Sequence, residues 1–159
     1  MAAKTTPPDA RIVISRQAFK TLEDQFNLKL TTFNPSELVY MLGLTRGLYL
    51  HGFGAVFSTE IDLIQSPTIN PFHRQILPEE VVSTHLRKLK QLPLLRKAMI
   101  DQMVACARDI QGLPMNDQIV VAVRLDYQAW EDTVGLPGTI LLRADRRSAM
   151  AGDIKVEEQ

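Results

Sequence analysis

Residues 48–63, LYLHGFGAVFSTEIDL, decide the fold class of this chain. After a Gly-Phe-Gly break at 52–54, apolar residues such as Ala55 and Phe57 alternate with residues that face the other way. Alternation of this length is typical of a strand with one buried side and one solvent-facing side. The pattern therefore predicts a strand at 54–64 in a sheet that helices cover on one face. The glycines predict a bulge or a tight turn, because glycine reaches positive φ at little cost.

The rest of the chain adds further strands and helices. Period-two patterns predict strands at 118–127 and 139–144, and helical periodicity predicts helices after Ser15 and from Pro78 to Gly112. The fold class that follows is α+β, with a mostly antiparallel sheet of three to five strands and helices packed on one face. The connection between the strands at 54–64 and 118–127 is long and helical. Such a connection would allow these two strands to be parallel. We assign a flexible tail to residues 1–10 and a single domain to residues 11–159.

Residues 34–47 have two interpretations. Asn34-Pro35-Ser36-Glu37 resembles a helix start, because Asn can cap and Pro suits the first helical position. The favoured interpretation is a short buried helix that ends near Gly47. The alternative is a strand through Leu38–Leu42.

The longest predicted helix begins at Pro78 with acidic residues in its first turn, where the helix dipole favours them. Its predicted inner stripe consists of Val82, Leu86 and Leu89. Pro93 predicts a kink or a restart, since proline lacks the N–H that the helix needs.

Composition excludes several classes of protein. The 159 residues contain 18 Lys plus Arg and 18 Asp plus Glu, so the formal net charge is zero. This balance argues against a nucleic-acid partner and favours self-association. The single cysteine, Cys106, excludes an intrachain disulfide and is expected to be a small core residue. We expect no membrane span. As given, the sequence predicts a cytoplasmic protein, or an exported one if a leader preceded Met1.

No motif in the chain predicts a catalytic site, a metal site or a cofactor. His51, His73 and His85 have no recognised ligand spacing, and the GxG at 52–54 is followed by a strand, whereas a dinucleotide site needs a helix. Glu60 and Asp62 are expected to be solvated charges on the exposed side of their strand.

We hypothesise that five residues form a ligand-binding site, because loops on a rigid sheet often carry function. These residues are His51, Gly52, Gly54, His73 and Trp130. They belong to the glycine break, the Pro-rich loop at 65–78 and the loop that contains the single tryptophan. Trp130 is expected to cap the end of the sheet.

The leading functional hypothesis is a non-enzymatic binding or assembly module with a protein partner or a second copy of itself. It depends on the absence of a catalytic pattern and on a strand at 54–64 that is regular enough to pair with another chain. The alternative is a small-molecule-binding domain or an enzyme with its site near His51, 52–54 and 65–78. A third hypothesis is a nucleic-acid surface on the long helix, formed by Arg87, Lys88, Lys90, Arg96 and Lys97.

Three segments carry a resemblance to known proteins: LYLHGFGAVFSTEI at 48–61, IVVAVRLDY at 119–127 and GTILLRADRRSAMAGDIKVEE at 138–158. Together they resemble an uncharacterised family of bacterial α+β domains that are often predicted to be exported. The resemblance implies a bacterial origin and an α+β fold. It implies no activity, ligand or catalytic residue.

Overall fold

The computed structural model describes Ile12 and residues 14–159, so the predicted tail at 1–10 lies outside the described residues. Its elements in chain order are α1 (Arg16–Thr32), β1 (Tyr40–Leu50), β2 (Gly54–Asp62), α2 (Pro78–Asp109), β3 (Gln118–Leu125), β4 (Thr139–Asp145), α3 (Arg146–Met150) and β5 (Lys155–Glu158). The strands form one sheet in the order β1-β2-β3-β4-β5. All neighbours are antiparallel except β2 and β3, which are parallel. The predicted α+β class is confirmed.

The hydrophobic core lies between the helices and one face of the sheet. Ser15 caps α1 as predicted, since its Oγ accepts a hydrogen bond from the Ala18 N–H at 3.1 Å. The inward side chain of Phe57 on β2 packs against two phenylalanines of α1, with ring centroids 5.7 Å from Phe19 and 5.1 Å from Phe26. These contacts fix α1 over the β1–β2 half of the sheet.

The predicted helix at 34–47 is wrong, and the alternative strand is correct. Asn34 Oδ1 accepts a hydrogen bond from the Ser36 N–H at 3.1 Å, so the Asn-Pro pair forms a turn and not a helix cap. The chain then enters β1, which extends from Tyr40 to Leu50 and pairs with β2. Glycines at 43 and 47 disfavour a helix, and pairing with β2 satisfies the backbone of this segment instead.

The glycine break forms the tight turn between β1 and β2. The Phe53 N–H donates to the Leu50 carbonyl at 3.0 Å, and Gly52 has a φ of 78°. Gly54 follows with a φ of 147°, and a Cβ built there would lie 1.9 Å from the Gln118 carbonyl oxygen. The start of β2 is therefore pressed against β3 in a way that only glycine permits.

Strand pairing with another chain through β2 is excluded, because β2 lies between β1 and β3. The free edge of β1 is also partly occupied. Glu23 Oε1 accepts from the Gly47 N–H at 2.8 Å, and Asn27 Oδ1 accepts from the Thr45 N–H at 2.8 Å. These α1 side chains satisfy backbone donors that an incoming strand would need.

The substitution Glu23→Gln is expected to lower the free energy of unfolding by about 1.5 kcal/mol at neutral pH, because it removes the negative charge and one of the two acceptor oxygens. Burial alone would raise the pKa of Glu23, but hydrogen bonds from Arg16 and the Gly47 N–H outweigh it and hold the pKa below 4.5. In acid the unfolded state therefore binds more protons than the folded state. The contribution of the Glu23 carboxylate to stability is present above about pH 4.5 and is lost as the pH falls further. Urea unfolding at pH 7 and pH 3 measures both effects.

The exposed neighbour Asp24 provides the control, since it pairs only with Lys20 on the same helix. Asp24→Asn should change the stability by less than about 0.5 kcal/mol. Equal losses for the two variants would show that Glu23 does not protect the edge of β1.

Candidate binding site at the carboxyl ends of the parallel strands

The carboxyl ends of β2 and β3 lie side by side, with Ile61 in register with Leu125. A cavity of about 390 Å³ opens beyond these ends. Its walls are an apolar pair from β1, polar residues of the loop after β2, and residues at the ends of β2 and β3. They are Tyr40, Leu42, Asp62, Gln65, Ser66, Thr68, Asp126 and Gln128.

The helix behind the cavity buries a polar face, so the predicted inner stripe of Val82, Leu86 and Leu89 is wrong. Val82 is 58% exposed and Leu86 is 59% exposed, whereas Leu89 is half-buried. The buried positions of α2 before Pro93 are Thr84, Lys88, Gln91 and Leu92, of which three are polar. Beyond Pro93, which α2 accommodates without ending, the buried face is apolar.

Lys88 forms the centre of a buried charge cluster with Asp62 and Glu131. Its Nζ lies 2.7 Å from Asp62 Oδ1 and 2.6 Å from Glu131 Oε1, and the Lys88 and Glu131 side chains are 0% and 1% exposed. Asp62 is only 7% exposed, which corrects the expectation that it is a solvated charge. A second contact orients Glu131, whose Oε2 accepts from the Gln128 N–H at 2.5 Å.

Tyr127 forms the wall beside this cluster. Lys88 Nζ lies 4.7 Å from the centre of its ring, and its hydroxyl donates to the Pro137 carbonyl at 2.6 Å. Burial raises the pKa of Tyr127 well above its usual value, and the negative charges of Glu131 and Asp62 raise it further. The hydroxyl is therefore a fixed donor and not an acid–base group at neutral pH.

The cluster holds one cation and two carboxylates, so it retains one negative charge. Asp126, which also lines the cavity, has no ion-pair partner among the described residues. Lys88 has no exposed surface and cannot reach a bound molecule as a nucleophile. The cavity therefore presents carboxylate, amide and hydroxyl groups over an electronegative floor, and not a reactive amine.

The structure does not bring together the five residues predicted to bind a ligand. His51, Gly52 and Gly54 lie at the β1–β2 turn, at the start of β2. His73 and Trp130 lie beyond the other end, where His73 Nε2 is 2.9 Å from Glu80 Oε1. The nine residues of β2 separate the two groups by about 30 Å. Of the regions named in the sequence, the 65–78 loop contributes to the cavity, and so does the loop that contains Trp130, through Gln128.

Trp130 is partly buried with its indole nitrogen shielded from solvent, and Cys106 is fully buried. Burial raises the pKa of the Cys106 thiol to about 12, which leaves it protonated and unreactive at neutral pH. The core role predicted for Cys106 is confirmed.

The predicted basic surface of the long helix does not form. Lys88 is buried, Arg87 Nε donates to Glu37 Oε1 at 2.7 Å, and Arg96 pairs with Glu158. Lys97 lies 2.9 Å from Asp101 on the same helix. Four of the five cations therefore have acidic partners, and Lys90 is exposed.

The outer face of the sheet, opposite the helices, carries an apolar row. Leu48, Val56 and Val120 are neighbours across β1, β2 and β3. The next row contains Ala122 and Leu141 on β3 and β4, together with the polar residues Arg46 and Ser58 on β1 and β2. Leu48 is 51% exposed, and the outward residues of the inner strands are only half-buried. Here "outer face" denotes the surface formed by these two rows.

Within residues 14–159 and Ile12, no group of three or more histidine, cysteine or acidic side chains could hold a metal ion. In the same part of the chain, no helix combines the length and the apolar character needed to cross a membrane. Comparisons with protein-family models, with curated proteins and with solved structures found no significant match.

Proposed function

We propose that this chain is a non-enzymatic assembly module that forms a homodimer through the outer face of its sheet. The observation that supports the proposal is the apolar row of Leu48, Val56 and Val120 on a face that no helix of the described residues covers. Monomeric proteins rarely expose a large contiguous apolar patch, and such a patch is typical of an interface. Leu44 and Leu50 add exposed apolar surface along β1.

The outer face has the dimensions of a stable interface. The side of the sheet that carries the outer face measures about 19 Å across β1 to β4 and about 25 Å along the strands, from the usual strand spacing and rise per residue. The accessible surface of such a face, covered with side chains, approaches the roughly 800 Å² per partner of a standard interface. A face and not an edge is the surface that remains for docking, because β2 is internal and α1 covers part of the β1 edge.

A second copy fits this face because the rows are self-complementary. A two-fold axis parallel to the strands and over β2 places Leu48 of each copy over Val120 of the partner subunit, and Val56 over its own counterpart. The charged residues of the more distant strands, Arg143 and Glu157, then lie at the rim. The first row is apolar from β1 to β3, and polar residues lie beside it in the next row and at the rim, a mixture that is usual in interfaces. Zero net charge removes long-range repulsion between the copies.

The substitution Leu48→Glu is expected to weaken the dimer at least 100-fold, because it places a charge in the apolar centre. Light scattering after size exclusion and sedimentation equilibrium measure the mass and the dissociation constant. Leu28→Glu is the matched control, since Leu28 is 63% exposed on α1 and far from the outer face. This control should remain dimeric.

A second measurement tests the position of the axis. The variant Val56→Cys should cross-link between copies with a short bis-maleimide, because its two thiols would face each other. The native Cys106 is buried and should not react. A monomeric wild-type chain at 100 μM, or a dimer that survives Leu48→Glu and cross-links no better at position 56 than at Leu28→Cys, would overturn the proposal.

A further inference from the structure

The geometry points to the exposed side of α2 as a second contact between copies of this chain, in which two α2 helices lie antiparallel. We name this surface the α2 stripe, and it consists of Glu79, Val82, Ser83, Leu86 and Lys90. The stripe belongs to the helical layer, whereas the outer face is the opposite side of the sheet, so the two contacts do not overlap. Where the proposed outer-face dimer also forms, both contacts together would join dimers into larger assemblies. Only this consequence rests on the proposed function.

The α2 stripe is a continuous exposed surface. At 3.6 residues per turn its five positions fall within about 100° of the helix circumference. All five residues are exposed, and Val82 and Leu86 border an open groove of about 580 Å³. Apolar side chains one turn apart on an exposed helix face are typical of a helix that docks against a partner.

The charges at the two ends of the stripe have no partner in the described part of the chain. Neither Glu79 nor Lys90 forms an ion pair or a side-chain hydrogen bond there. Lys90 attracts the Glu37 carboxylate only at longer range, because Arg87 holds that group. The unpaired acid and base lie about 16 Å apart along the helix axis, with the apolar pair between them. The other charged side chains of α2 from Pro78 to Lys97 have hydrogen-bonded partners within the chain, namely Glu80, Arg87, Lys88, Arg96 and Lys97.

A second copy fits the stripe because the stripe is complementary to itself. A two-fold axis perpendicular to α2, near residues 84 and 85, places Glu79 of each copy opposite Lys90 of the partner subunit. The same axis places Val82 opposite Leu86 of the partner subunit. Two identical ion pairs then flank an apolar centre, which fixes the antiparallel direction, since parallel helices would place like charges together.

The α2 contact is expected to be weak. A single contact between two helices, about 16 Å long and 10 Å wide, covers far less than the roughly 800 Å² per partner of a standard interface. We expect a dissociation constant of about 1 mM for it. At 100 μM the stripe is therefore mostly unoccupied, and the outer-face dimer can be measured separately. Repeated contacts between dimers would strengthen the association, because each dimer presents two stripes.

The test uses the full chain with Leu48→Glu, so that loss of the outer-face dimer cannot be confused with loss of the α2 contact. Sedimentation equilibrium from about 50 μM to 2 mM measures the dissociation constant. Adding Glu79→Lys or Lys90→Glu should weaken self-association at least tenfold, because like charges then face each other at both ends. An equimolar mixture of these two variants should associate as tightly as the parent chain, since every facing pair in the mixed dimer has opposite charges.

Two further variants make the result decisive. Asp24→Lys on α1 makes the same change of charge as Glu79→Lys away from the stripe, and it should leave the dissociation constant unchanged. Leu86→Glu should abolish the contact, and it serves as the test if a charge variant does not fold. Any of four results would overturn the inference: no self-association at 2 mM, a mixture that associates no more tightly than the separate variants, an equal effect of Asp24→Lys, or association that survives Leu86→Glu.

Discussion

Replacement of the buried lysine, Lys88→Met, is expected to lower the free energy of unfolding by about 3–5 kcal/mol. Methionine fills a similar volume but leaves Asp62 and Glu131 as like charges in a buried site. Removal of one partner of a buried ion pair costs more than the pair contributes, because the remaining charges stay desolvated. Urea unfolding monitored by circular dichroism measures the loss.

Two further variants separate the effect of charge from that of packing. Lys90→Met, two residues along the same helix, changes an exposed lysine and should alter the stability by less than about 0.5 kcal/mol. In the triple variant Lys88→Met, Asp62→Asn, Glu131→Gln no charge remains, so much of the lost stability should return. If the triple variant is no more stable than Lys88→Met, the loss comes from packing and not from unpaired charge.

The second large effect is expected at the turn into β2, where Gly54→Ala should cost about 3 kcal/mol or more. A methyl group would lie 1.9 Å from the Gln118 carbonyl oxygen, and the φ of 147° disfavours any side chain. The contact involves backbone and not a flexible side-chain end, so β2 and β3 must separate at their start to relieve it. Thermal and urea unfolding measure the loss.

Gly52→Ala is the matched control, since Gly52 also has a positive φ, of 78°, but a Cβ there meets nothing within 4 Å. The expected cost is about 1 kcal/mol, from backbone strain alone. Equal costs at the two positions would show that the close approach of β2 to β3 does not limit the choice of residue at position 54.

The correct sequence predictions were those that depend on local periodicity. The alternation after Gly54 predicted β2, and the N-cap at Ser15 with the spacing of Phe19, Leu22 and Phe26 predicted α1. Each signal arises from a repeating geometry along one element. The prediction of a helix at 34–47 failed because Asn34-Pro35 suits both a helix start and a turn. Only pairing of β1 with β2 decides between them.

The charge cluster was missed because its members are 26 and 43 residues from one another along the chain, at positions 62, 88 and 131. One signal was available: polar Thr84, Lys88 and Gln91 recur at helical spacing, as the apolar residues of the same helix do. Hydrophobicity favoured the apolar stripe of Val82 and Leu86 as the inner face.

The sequence by itself determined the fold class, the position of the β1–β2 turn and most of the elements, because backbone geometry and burial of one face repeat at short range. Tertiary structure decided which strand lies at the edge, which side of α2 is buried and where charges meet. Those outcomes depend on the sum of packing and electrostatic contacts between distant segments. Here α2 buries Lys88 against Asp62 and Glu131 and leaves Val82 and Leu86 exposed, which only contacts between distant segments decide.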